Sequence, residues 1–282
     1  MHEGNYKRAA DELAILYRYQ KSDDGMMRHE ISQSAGFLNW VKDYPYMHVH
    51  VGITFDFLTE LGEYDRISGD QAFLAQHWPA TLKAYQYCLS RLDKSDGLPR
   101  VPVDKMSGNE QDRLTDELTL SASWVSAAHA MSKLAASMHD EALSRQAESA
   151  SLRARDSIRS RYWDSTARRW ISGLTRSGKA TERTSAADLA AIASGASTPE
   201  QTAATLDMLM TSPYLTAWDC GASQLPLRIM IRPGTRKGVC GLSVRLGQRR
   251  SCGEPIGQRQ LMLCGKVSCL GSPPIPLATC MK

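Results

Sequence analysis

The residues best suited to chemistry lie in the segment 25–50, between two helical patterns. This segment combines carboxylates and an arginine with three histidines, a tryptophan and two tyrosines. Flat aromatic rings beside side chains with fixed donors and acceptors suit sugars, which present C–H faces and hydroxyl edges. The candidate substrate-binding residues are Arg28, His29, Glu30, Trp40 and Tyr44. The alternative is that the rings anchor the segment to the core and that Glu30 is a solvated charge.

A second candidate group, Asp116-Glu117, stands where a loop enters a helix. Adjacent acids at a helix start are usually capping residues, because the helix dipole favours negative charge there. A carboxylic acid at the mouth of a crevice can instead have its pKa raised by burial and act as a general acid. Glu117 and Asp116 are therefore the candidate catalytic residues. Trp124, on the helix that follows, is a further candidate for contact with a sugar.

Other kinds of site find little support in the sequence. His48 and His50 have strand-like spacing, but no HExxH or CxxC motif accompanies them, so we expect no metal. Because neither a GxGxxG motif nor a GxxxxGK motif followed by Ser or Thr occurs, we expect no nucleotide cofactor, and no other cofactor is indicated. The basic residues at 153–161 are interleaved with Asp156, which is typical of a solvated helix face. We therefore expect no nucleic-acid partner.

The composition is that of a globular protein: of 282 residues, 42% are hydrophobic and 23% are charged. No run of about 18 apolar residues occurs, so we expect no membrane-spanning helix and no membrane partner. The N-terminal residues lack the apolar stretch of a signal peptide. The prediction from these observations is a protein of the cytoplasm.

The end of the chain differs from the rest in composition. Residues 220–282 hold 10 of the 34 Lys and Arg residues, six of the seven cysteines and only one acid, Glu254, so their net charge is +9. The remainder, with 24 basic and 29 acidic residues, is −5. Neither an aromatic residue nor a histidine lies in 220–282. We predict one domain over residues 1–217 and an irregular, basic, cysteine-rich tail over residues 218–282.

Out-of-frame translation of G+C-rich DNA produces such a tail composition. We expect residues from about 218 onward to be frameshifted, and the chain to be cut at its N-terminus, where a helical pattern starts almost at once. The alternatives are a genuine cysteine-rich tail, disulfide-bonded or binding zinc, and a basic disordered tail for nucleic acid. The lack of CxxC motifs and of histidine disfavours zinc.

Apolar residues at helical spacing predict about eight helices before residue 212. Gly69-Asp70 and His139-Asp140 have the pattern of tight turns in which the carboxylate caps the second helix. Thr198-Pro199 marks a further helix start, and residues 169–174 predict a small β-hairpin. Helical hairpins whose long connections fall on one side favour a toroid, while a solenoid or two bundles stay open.

Several motifs resemble, in their order, those of a known family. They are Asp24-Gly25-Met26-Met27-Arg28-His29-Glu30-Ile31-Ser32-Gln33-Ser34, Asp43-Tyr44-Pro45-Tyr46, Gly69-Asp70, Trp78-Pro79, Asp96-Gly97-Leu98, Trp124-Val125 and Tyr162-Trp163-Asp164. Over about residues 5–219 the chain resembles the bacterial amylo-α-1,6-glucosidases, which are glycosidases of the glycogen-debranching type. These enzymes belong to the wider six-hairpin (α/α)6 group, which includes glucoamylases and trehalases.

The resemblance implies an all-α protein, an incomplete (α/α)6 toroid that hydrolyses α-glucosidic linkages in an oligosaccharide or polysaccharide. It implies inversion by two carboxyl groups, which in inverting enzymes lie about 6.5–9.5 Å apart so that a water molecule fits. The acid that protonates the leaving oxygen then corresponds to Glu117, with Asp116 as the rival. His29, Glu30 and Trp40 would shape the sugar subsite.

The chain departs from the family pattern in three respects. Gly52 stands where an acid is expected, about eight helices replace the twelve of a complete toroid, and the C-terminal region offers only Glu254 as the second carboxylate. We therefore expect impaired folding or activity, because an incomplete toroid leaves apolar helix faces without partners. The alternatives are a non-catalytic carbohydrate-binding remnant and a helical-repeat scaffold whose loops bind a partner.

Overall fold

The computed structural model describes residues 6–29, 48–107, 114–181, 185–211, 229–234 and 241–246. The chain divides into two units, Met1–Pro213 and Tyr214–Lys282. The described residues of the first unit are mostly helical. They form α1 (Tyr6–Arg18), α2 (Gly52–Ser68), α3 (Gln71–Ser90), α4 (Leu118–Ser137), α5 (Glu141–Tyr162), α6 (Ser185–Ala193) and α7 (Pro199–Thr211).

The tight turns between paired helices have the caps that the sequence predicts. Asp70 accepts the backbone N–H of Phe73 at 3.0 Å to start α3, and Asp140 accepts that of Leu143 at 3.0 Å to start α5. Gly69 ends α2 in the left-handed conformation, with φ at +62°, which glycine adopts without a steric penalty. These caps confirm the two predicted helix-Asp-helix turns.

The helices pack in two layers. α4 packs against α2 on one side and α6 on the other, so these three helices lie side by side in one layer. α3, α5 and α7 follow them as the second helix of each hairpin, and α1 packs beside α2 and α3. The turns within hairpins are short and the connections between hairpins are long. The long connections therefore all reach the end at which α2, α4 and α6 begin.

The hydrophobic core fills the space between these layers. Trp124 is fully buried, with Phe55 edge-on at 6.0 Å and Tyr85 stacked at 5.9 Å between ring centroids. α2 and α4 approach closely at Gly62, where an added Cβ atom would lie 2.7 Å from the Cβ atom of Ala130. This contact fixes the spacing of the two helices that carry the candidate site.

Four short strands lie in the connections: β1 (Leu114–Glu117), β2 (Trp163–Asp164), β3 (Arg169–Trp170) and β4 (Gly173–Thr175). β1 pairs antiparallel with β4, and β2 pairs antiparallel with β3. The predicted hairpin within residues 169–174 is therefore wrong, because its two halves belong to different sheets. Trp170 pairs back with Trp163, and the two rings meet edge to face at 4.9 Å between centroids.

The described residues of the second unit form one antiparallel pair of strands, β5 (Ile229–Gly234) and β6 (Gly241–Leu246). The sequence predicts irregular structure over the whole of residues 218–282, so this pair is a difference from the expectation. Within the parts of the chain that the structure describes, no helix combines the length and apolarity needed to cross a membrane.

Candidate active site

The connections that precede α2 and α4 bind each other at the helix starts. The backbone N–H of Val51 donates to the carbonyl of Met106 at 3.0 Å, and that of Met106 donates to Val49 at 2.9 Å. The Nδ1 atom of His50 lies 3.1 Å from the carbonyl of Ser107 and must be the donor, because a carbonyl only accepts. The two predicted functional segments therefore meet in one region of the fold.

Glu117 is the last residue of β1 and the N-cap of α4. Its strand pairing places it opposite Gly173, and the next N–H, of Leu118, donates to the carbonyl of Ser172 at 3.0 Å. Its own backbone carbonyl accepts the Ser121 hydroxyl at 2.9 Å. The backbone on both sides of Glu117 is therefore held by hydrogen bonds.

The Glu117 side chain is buried, with 5% of its surface exposed, and makes no capping hydrogen bond. Oε1 accepts the Thr119 hydroxyl, whereas Oε2 is buried and has no hydrogen-bond partner among the described residues. Burial raises the pKa of the Glu117 carboxyl, and the Thr119 hydroxyl opposes this effect in part. This carboxyl group therefore does not cap the helix. Its burial favours the neutral, protonated form.

Asp116 has different surroundings from Glu117. Its Oδ1 atom accepts from Arg161 at 2.7 Å and lies 2.9 Å from the Nε atom of Arg100. Both arginines also approach Asp96, at 2.6 Å for Arg100 and 3.4 Å for Arg161. This four-residue group, Asp96, Arg100, Asp116 and Arg161, is called the charge cluster below. Because two guanidinium groups bind one Asp116 oxygen, Asp116 is better suited to holding β1 than to exchanging a proton.

Arg28 and His29 lie in the same connection as His50. Arg28 is buried, its Nε atom donates to the carbonyl of Tyr19 at 2.7 Å, and its guanidinium lies 5.2 Å from the centre of the Tyr19 ring. The ring of His29 stacks on that of His50 at 3.9 Å between centroids. These contacts show both side chains holding the connection together, and their contact with a substrate stays a prediction.

The remaining predicted substrate-binding residues have different outcomes. Trp124 is buried in the structure, with its ring between Phe55 and Tyr85, and its contact with a sugar stays a prediction. Helical periodicity gives the side of a helix that is buried but not whether a ligand reaches it. Glu30, Trp40 and Tyr44 lie outside the described residues, so their predicted roles stay predictions.

Sequence reasoning missed Asp56 in the second turn of α2. Its side chain is exposed, and its Oδ1 atom accepts the Ser123 hydroxyl of α4 at 2.9 Å. The surrounding protein desolvates this carboxylate and raises its pKa, Ser123 opposes the shift, and the charge of Glu60 adds to it. The sequence signal that could have identified Asp56 was an acidic residue between two aromatic residues in an otherwise apolar helical pattern.

We expect Gly173→Ala to destabilise the fold by about 1–3 kcal/mol, because the added Cβ atom overpacks this position. That atom would lie 2.5 Å from the backbone oxygen of Asp116, so β1 must shift and move Glu117 with it. Chemical unfolding measures the loss. Gly52→Ala is the control, since its Cβ atom would meet only Leu120, at 3.8 Å, and equal stability loss in both variants would contradict the explanation.

No family model and no curated protein matches this chain. Solved structures do match it at the level of the fold. A rhamnosidase from Klebsiella oxytoca with rhamnose bound aligns over 74% of this chain with 14% identity and a TM-score of 0.54. A GH63 mannosylglycerate hydrolase from Thermus thermophilus in complex with glucose aligns over 73%, with 14% identity and a TM-score of 0.55. An uncharacterised conserved protein from Thermus thermophilus aligns over 73%, with 14% identity and a TM-score of 0.56.

Both named hydrolases have folds of the six-hairpin glycosidase type. This chain is mostly helical over its described residues and aligns with part of that fold. The alignment spans 38% of the rhamnosidase chain and 65% of the mannosylglycerate hydrolase chain. The chain thus spans less than two thirds of either hydrolase, and at 14% identity the similarity shows the fold alone.

Proposed function

We propose that this chain is a glycoside hydrolase in which Glu117 is the general acid. The observation that carries the proposal is the Glu117 carboxyl, buried at the end where the long connections meet, with Oε2 unpartnered among the described residues. A buried hydroxyl without an acceptor costs about 1–3 kcal/mol, which a substrate oxygen in that position would remove. The fold shared with two glycoside hydrolases supports the same class of chemistry.

In the proposed reaction the protonated Glu117 donates its proton from Oε2 to the glycosidic oxygen as the bond from that oxygen to the anomeric carbon breaks. The raised pKa keeps this proton available at a pH where an exposed glutamate is ionised. Thr119 binds the other oxygen and fixes the plane of the carboxyl. A water molecule attacks the anomeric carbon from the opposite side, so the configuration inverts.

The proposed substrates are α-glucosidic linkages of the debranching type, in oligosaccharides or polysaccharides. The support for this choice is the order of sequence motifs that resembles the bacterial amylo-α-1,6-glucosidases, together with the cluster of rings and donors in the segment 25–50. The two hydrolases of similar fold are named for other sugars, rhamnose and mannosylglycerate. A test of the function therefore needs a panel of sugars.

The test is hydrolysis by the purified full chain of nitrophenyl α-glucoside, α-mannoside and α-rhamnoside, and of isomaltose, panose and a branched dextrin. We expect release of reducing sugar, highest for an α-glucosidic linkage, with the inverted anomer formed first in proton NMR spectra. Binding of these sugars without release would contradict hydrolysis and indicate a carbohydrate-binding remnant. Neither binding nor release would indicate a helical scaffold.

A further inference from the structure

α2 and α4 share one solvent-accessible polar face. On α4 the partly exposed residues Thr119, Ser123 and Ser126 are three or four positions apart, so they lie along one side of the helix. On α2 the exposed acids Asp56 and Glu60 are four positions apart. The hydrogen bond between Ser123 and Asp56 joins the two sets. These five residues are called the polar face below.

Two neighbouring hydroxyl groups of α4 on this face each bind a carboxyl group. Thr119 donates to the Glu117 carboxyl, and Ser123 donates to the Asp56 carboxylate. Four helical residues span about 6 Å along the axis, so the two attachment points are one turn apart. The paired carboxyls are about 5–5.5 Å apart in retaining glycosidases and about 6.5–9.5 Å apart in inverting ones. The proposed inversion requires the wider of these two spacings, with a water molecule between the carboxyl groups.

We infer that Asp56 is the catalytic base that activates this water, an inference that rests on the proposed glycoside hydrolysis. Asp56 takes one proton from the water as the water oxygen bonds to the anomeric carbon. The bond to the leaving oxygen breaks at the same time, and that oxygen takes the Glu117 proton. Asp56 then returns its proton to solvent and Glu117 takes one up, so the sum is hydrolysis by one water.

The two carboxyl groups have the exposures that these tasks require. Glu117 is buried, which favours its protonated form, whereas the Asp56 side chain is exposed to solvent, from which the water arrives. The charged group that faces Asp56 from its own helix is Glu60, and the group that binds it from α4 is the neutral Ser123 hydroxyl. Desolvation by the surrounding protein and repulsion from the Glu60 charge raise the pKa of Asp56 above that of a fully solvated aspartate. Ser123 acts as a positioning residue.

The test compares three variants on two classes of substrate. Asp56→Asn should lower kcat by about 10²–10⁴-fold on both nitrophenyl and dinitrophenyl glycosides, because removal of a base affects every leaving group. Azide, which needs no base, should restore turnover of a glycosyl fluoride by Asp56→Asn and yield the glycosyl azide of inverted configuration. Glu63→Gln, on the same helix but paired with Arg66, is the matched control and should stay within about threefold of the unmodified chain.

Circular dichroism and thermal unfolding show whether Asp56→Asn keeps the fold, and Asp56→Glu is the second variant, expected to retain partial activity. Undiminished turnover by Asp56→Asn, an equal loss in Glu63→Gln, or absence of the azide product would overturn the assignment of Asp56 while leaving the hydrolase proposal intact. Absence of hydrolysis by the unmodified chain would overturn both.

Discussion

Replacing Glu117 with Gln should lower kcat on nitrophenyl glycosides and disaccharides by about 10²–10⁴-fold, the contribution of a general acid. Dinitrophenyl glycosides, whose leaving group needs no proton, should lose less than about tenfold. The amide keeps the shape of the carboxyl but has no proton of suitable acidity to donate. Steady-state kinetics on the two substrate classes measure the difference, and equal losses on both would show that Glu117 is not the acid.

The same variant should change the pH dependence in a defined direction. In the proposed mechanism activity requires the protonated Glu117, so in the unmodified chain it should fall as pH rises through the raised pKa, and this decline should be absent in Glu117→Gln. The folded state also holds the Glu117 proton more tightly than the unfolded state does. Its stability therefore decreases as pH rises from the usual glutamate pKa through the raised one. Thermal unfolding of Glu117→Gln should show a smaller decrease over this interval.

Asp116→Asn should instead destabilise the fold, by about 2–4 kcal/mol, because it leaves Arg100 and Arg161 with Asp96 as the one anion of the charge cluster. The estimate lies below that for a fully buried pair, since the Arg161 side chain keeps 31% of its exposure. Turnover below the unfolding temperature should change less than for Glu117→Gln. We therefore expect Asp116→Asn to lower mainly the stability of the fold and Glu117→Gln to lower mainly the rate of catalysis.

The control for Asp116 is Asp11→Asn on α1. The Asp11 carboxylate pairs with Lys7 at 2.7 Å, but both side chains are largely exposed, so its loss should change stability by less than about 0.5 kcal/mol. Chemical unfolding of the two variants gives the comparison. Similar stability in Asp116→Asn and Asp11→Asn would contradict the structural role of the charge cluster.

The local parts of the fold were predictable from sequence. A short carboxylate before a helical pattern has few uses other than capping, so the starts of α3 and α5 follow from Asp70 and Asp140. Glu117 could be selected in the same way, as an acid where a loop enters a helix. Its environment could not, because the burial of Oε2 depends on a strand partner, Gly173, 56 positions away.

Other features that sequence does not reveal have the same long-range origin. Trp124 and Asp56 lie in helices whose periodicity is clear, yet the side that each presents depends on which helix packs beside it. Asp56 meets Ser123 across 67 positions of sequence, and the charge cluster joins Arg161 to Asp116 across 45. No local pattern encodes such distances, and a single sequence gives no second observation to link them.

The separation of tight turns from long connections has a consequence for the order in which the chain folds. Each hairpin closed by a capped turn, such as the one at Gly69-Asp70, brings together residues near in sequence, which costs little chain entropy. The other end needs contacts between distant segments, including the pairing of β1 with β4. The hairpins can therefore assemble first and the end that carries Glu117 last. The same end should open first in native-state hydrogen exchange, as a local unfolding unit of low protection.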